Sequence, residues 1–89
     1  MMVRNCMEII VDNIINSVLV QYKDICKCEK CIEDIKAIAL NNLKPLYVVT
    51  EKGNVYARLH ELEIQFRTDV IKEIMAAIDI VSKNVQHNL

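Results

Sequence analysis

The sequence predicts an all-α fold: a small helical domain with a short extended or hairpin segment near residues 46–56, zinc-stapled and dimeric. Three observations carry this expectation. Apolar residues recur at three- and four-residue spacing through three stretches, the period of a helix with a buried face. The one glycine, Gly53, and the one proline, Pro45, both fall mid-chain, so neither interrupts those stretches. Cys26, Cys28 and Cys31 crowd together between the first two stretches, where a metal would pin the helices.

The first helix is expected over about residues 3–22. Val3, Met7, Ile10, Val11, Ile14, Val18 and Tyr22 line one face, and Ile9, Ile15, Leu19 and Val20 widen it. A helix apolar over so much of its surface is covered on two sides. Residues 23–30 connect it to a second helix that starts at Glu29 or Cys31 and ends near Asn41-Asn42. Asparagine suits such an end because it tolerates the left-handed conformation. Ile32, Ile35, Ala39 and Leu43 form its stripe, with Ile38 beside it.

Pro45 drives its neighbour toward extended backbone, Tyr47, Val48, Val49 and Thr50 favour strand, and Lys52-Gly53-Asn54 reads as a turn. Residues 55–85 then carry Val55, Leu59, Leu62, Phe66, Val70, Ile74, Ile78 and Val81 in one stripe. That pattern is one long helix, or two bent near Arg67-Thr68-Asp69. Its length makes it a candidate dimer seam.

Eighty-nine residues suit a single domain, here 1–89, with limited capacity to bury surface. Yet 53% of the residues are hydrophobic, above the usual share. Burial between two copies reconciles these facts, so a homodimer is expected. The net charge of −1, from 11 basic and 12 acidic residues, argues against a nucleic-acid-binding face. No run of 18 apolar residues indicates a membrane span. Glu8 and Asp12 interrupt the N-terminal apolar pattern, unlike a secretion signal, so a cytoplasmic location is expected.

In a reducing compartment, clustered thiols point to metal or redox chemistry before disulfides. Cys26, Cys28 and Cys31 have the spacing to place three thiolates around one Zn²⁺. The fourth ligand is expected from Cys6 first, from His87 second, or from His60. The plainer reading is three small buried side chains. A redox Cys28-x-x-Cys31 motif competes too, but it lacks the βαβ context such motifs usually have.

Nothing argues for catalysis: there is no serine–histidine–acid pattern and no glycine-rich phosphate loop. Asp34, Asn41, Lys44, Tyr47 and Thr50 gather near the end of the second helix in sequence. A ring to stack a base, a cation for phosphate and an acid for a guanine edge could recognise a nucleotide. Helix capping and loop anchoring explain the same residues more simply.

The stretch Cys-x-Cys-x-x-Cys-x-x-Asp-x-x-Ala-x-Ala-Leu-Asn-x-Leu-x-Pro-x-Tyr, Cys26 to Tyr47, resembles the late competence development protein ComFB family. Asn5-Cys6-Met7-Glu8 is similar to that family's Asn-x-x-Glu, and Thr50 to Ala57 to its Thr-x-x-Gly-x-Val-Tyr-Ala. The resemblance implies a small helical bacterial dimer with structural zinc held by cysteines. It further implies a receptor for cyclic dinucleotides such as cyclic di-GMP or cyclic di-AMP, without enzymatic activity. Asp34, Asn41, Lys44 and Tyr47 would then bind the ligand. The alternative is a zinc-stabilised interaction scaffold for competence or DNA-uptake proteins. The chain departs from the family in two places: Lys44-Pro45-Leu46-Tyr47 replaces Pro-Pro-Lys/Arg-Tyr, and Val85-Gln86-His87 keeps only the histidine of a Pro-Arg-His-like tail.

Overall fold

A strand and a helix share the opening segment. Strand β1 covers Met2–Asn5 and helix α1 covers Cys6–Leu19. Helix α2 covers Glu29–Asn41, strand β2 Tyr47–Thr50 and helix α3 Val55–Lys83. This computed structural model describes residues 2–50 and 55–84. The turn expected at Lys52-Gly53-Asn54, and Val85 with His87, lie outside the described residues.

α1 starts where Asn5 caps it. The Asn5 side chain, in extended backbone, accepts from the Met7 N–H at 3.1 Å, satisfying one of the orphan donors of the first turn. The expected helix from Val3 is therefore corrected: Val3 lies on a strand and is 65% exposed. β1 and β2 pair antiparallel, Val3 facing Val49 and Asn5 facing Tyr47. The extended segment thus closes against the N-terminus, among the described residues, and the fold is mainly helical with a two-stranded sheet.

α2 ends as expected at Asn41, but its C-cap, Asn42, is not left-handed. Asn42 has φ −108° and donates its side-chain amide to the Ile38 carbonyl at 2.9 Å. α3 is one continuous helix of 29 residues. That length is about 44 Å at 1.5 Å per residue, matching the molecule's 43 Å long axis.

α1 and α2 both pack on α3. Ile10, Val11 and Ile14 of α1, Ile35 and Ala39 of α2, and Val70, Ile74, Ala77 and Ile78 of α3 meet in one buried core. Each large aliphatic chain so buried contributes about 1.5–3 kcal/mol. The apolar stripe of α3 from Leu59 to Val81 is thereby covered largely within the subunit. Phe66 interrupts that burial: it is half-buried and packs against the core edge. Lys36 ties α2 to α1 through Asp12 at 3.0 Å.

Candidate metal centre and ligand surface

α1 runs out at Leu19 and a loop carries the chain to Cys28, the N-cap of α2. The cap is a sulfur: Cys28 Sγ accepts from the Cys31 N–H at 3.5 Å, while its carbonyl accepts from the Ile32 N–H at 3.0 Å. One helical turn brings Cys31 beneath Cys28, and the loop returns Cys26 to both. The three Sγ atoms lie within 4.8 Å of one another. Thiolates around a tetrahedral ion at 2.3 Å stand about 3.8 Å apart, so the residues present fit a zinc ion with small side-chain adjustments. None of the cysteines is disulfide-bonded.

The environments of the three differ. Cys31 is buried, Cys26 half-buried and Cys28 exposed. Burial pushes the Cys31 thiol up to about 12, with the Cys26 and Cys28 sulfurs adding to the shift. The Cys31 backbone N–H, and then the Cys26 side chain, hold Cys28 below the ordinary cysteine range. A divalent cation drawn among them would favour the thiolate form of all three. The cluster packs against the last turns of α3: Cys26 and Cys31 line a small cleft with Ile35, Ile78 and Val81.

The fourth-ligand expectations separate. Cys6 is a correction: it sits at the opposite end of α1, buried, with its N–H on the Leu46 carbonyl at 2.7 Å. Fourteen residues of helix, about 21 Å, lie between it and the loop. His60 is exposed on α3, eighteen residues or about 27 Å before Ile78. His87 lies outside the described residues, although the helix that precedes it ends beside the cluster.

Among the cavities lined by described residues, none takes in all four expected ligand-binding residues. Asp34 pairs with Lys30 at 2.7 Å and lines a shallow site with Ile38 and Asn84. Asn41 is exposed at the end of α2, and Tyr47 is 67% exposed on the sheet. Lys44 lines a different cavity of about 530 Å³, floored by Met7, Leu43, Leu46 and Phe66. Asp69, Lys72 and Glu73 of α3 complete its wall. Sequence reading missed these three. Their spacing puts them on one helical face, but only packing shows that this face meets Lys44.

Among the described residues, no helix is long and apolar enough to cross a membrane. The family model of the late competence development protein ComFB matches residues 4–85. The competence protein ComFB of Bacillus subtilis strain 168 is 25% identical over 83 residues, spanning 93% of this chain and 85% of that protein. The solved structure of the late competence protein ComFB from Bacillus subtilis superposes with a TM-score of 0.79 at 25% identity, covering 96% of each chain. The resemblance first visible in the cysteine and Asn-x-x-Glu motifs therefore extends over nearly the whole fold, and the chain belongs to the ComFB family of late competence development proteins.

Proposed function

We propose that this competence-related protein is a non-enzymatic cytoplasmic regulator with one structural Zn²⁺ per subunit, acting as a homodimeric receptor for a cyclic dinucleotide. The observation that carries the metal half is the triangle of Cys26, Cys28 and Cys31 sulfurs, each within 4.8 Å of the others. When bound, zinc would supply a fixed crosslink between the α1–α2 loop and the start of α2. His87 is the remaining side-chain candidate for the fourth position, with water as its substitute.

The ligand half draws its support from the Lys44 cavity, whose volume of about 530 Å³ falls in the usual range for small-molecule sites. Lys44 and Lys72 offer cations to phosphate, and Asp69 and Glu73 offer acceptors to a guanine edge. Asp34, Asn41 and Tyr47 join such a site only if a second copy brings them to it. A two-fold dimer would present the same groups to both halves of a two-fold ligand.

Titration calorimetry of zinc-loaded protein with cyclic di-GMP and with cyclic di-AMP tests the receptor reading. Heat from at least one, lost in Lys44→Ala, is expected. Silence with both rejects it in favour of a zinc-stabilised scaffold for competence or DNA-uptake proteins. One observation favours that second reading: Val3 and Val49, paired across the sheet, and Tyr47 expose an apolar face of the kind used for protein contacts.

A further inference from the structure

The three thiols are unequal in a way a purely structural metal clamp does not require. Cys28 is exposed at the N-cap of α2, open to a small oxidant. Cys31, three residues on, is 1% exposed, and its backbone N–H points at the Cys28 sulfur. An accessible sulfur at a helix start, backed by a buried sulfur one turn later, is a pairing for attack and resolution. Residues three apart on a helix have Cβ atoms about 5–6 Å apart. The two sulfurs already lie within 4.8 Å, so modest adjustment closes a bond of about 2.05 Å.

We propose that Cys28 and Cys31 form a reversible disulfide on exposure to peroxide, so that the metal centre doubles as an oxidation-sensitive switch. The Cys28 thiolate sulfur attacks one peroxide oxygen, the O–O bond breaks, and the departing hydroxide takes up the proton that Cys28 released on ionising, leaving Cys28 sulfenic acid and one water. The Cys31 sulfur then displaces the sulfenic hydroxyl, which leaves as a second water with the Cys31 proton. Overall two thiols give up two protons and two electrons to one hydrogen peroxide, yielding one S–S bond and two waters. Two of the three thiolate donors are consumed, and the site loses its grip on the ion. A dithiol reductant restores both thiols and is itself oxidised to a disulfide.

The chain makes the bond simple to map. Trypsin cuts after Lys23, Lys27, Lys30 and Lys36, so each cysteine of the cluster falls in its own peptide. Zinc-loaded and chelator-stripped protein are each treated with hydrogen peroxide, alkylated, digested and analysed by mass spectrometry. The expected product is a crosslink between peptides 28–30 and 31–36 that dithiothreitol dissolves. It should form several-fold faster in stripped protein, and the loaded sample should release one zinc per crosslink. Cys26→Ser should keep the crosslink. Cys31→Ser combined with Cys26→Ser, which removes the other nearby thiol, should stop at a sulfenic acid trapped by dimedone on Cys28. A dominant crosslink to Cys26, or conversion of Cys28 to sulfinic acid without any crosslink, overturns the proposal. The stripped sample decides this even if native protein carries no zinc, so failure of the switch and failure of the metal reading are distinguishable.

Discussion

The Asn5 side-chain oxygen holds Leu46, accepting its backbone N–H at 2.9 Å across 41 residues of sequence. The same oxygen accepts the Met7 N–H at 3.1 Å. One amide therefore caps α1 and pins the segment that enters β2. The Cys6 N–H adds a bond to the Leu46 carbonyl at 2.7 Å, so strand pairing and helix initiation are coupled at one point.

Asn5→Ala should cost about 1–3 kcal/mol, since it removes a cap and orphans a second part-buried donor. Asn5→Asp should retain much of that stability because a carboxylate also accepts both bonds. Urea titration checks this. A loss under about 0.5 kcal/mol for Asn5→Ala would show that the cap is dispensable.

The helix start was legible in the sequence and was overridden. Asn5-x-x-Glu8 has the spacing of a capping box, which marks Cys6 as the first helical residue. The apolar rhythm through Val3 and Met7 pointed the other way, because strand and helix periods coincide over so few residues. The α3 stripe was readable from Leu59 to Val81, but its partner was not: period fixes which face is buried, not whether another subunit or α1 and α2 bury it. The cysteine triangle was legible because spacing within one loop constrains distance. Cys6 could have been set aside from the sequence, because the loop follows the far end of the helix that Cys6 begins, about 21 Å away.

Core position decides the cost of truncation on α3. Ile74 is fully buried, so Ile74→Ala should lose about 2–5 kcal/mol. Phe66 is half-buried at the Lys44 cavity, so Phe66→Ala should lose less than Ile74→Ala despite removing more atoms. Paired denaturant titrations with unchanged slopes test the order. The reverse order would place Phe66 in a more tightly packed environment.

Lys36 offers a pH prediction. Its hydrogen bond to Asp12, with the Asp12 and Glu33 charges, raises its pKa above 10.5 despite an opposing desolvation effect. A raised folded-state value means that its contribution is fully present below the unfolded pKa near 10.5 and fades only as pH rises through the folded value. Lys36→Met should therefore cost no more than about 1 kcal/mol, equally at pH 6 and pH 9. Thermal melts across that interval check it; a cost that changes between the two would contradict the assignment.

The metal assignment makes a sharper distinction between cysteines. Cys28→Ser should lower bound zinc and stability together, because a structural site contributes folding energy directly. Cys6→Ser should leave zinc content unchanged while lowering stability modestly through its buried environment. His87→Ala should weaken zinc affinity without abolishing binding. Equal metal loss from Cys6→Ser and Cys28→Ser would require a different site.

Elemental analysis of reduced protein purified without chelator or added metal tests the central claim most directly, coupled to a melt before and after chelation. The account predicts one zinc per chain and a clear fall in melting temperature on its removal. Protein that carries no stoichiometric zinc and melts identically with and without chelator would contradict it.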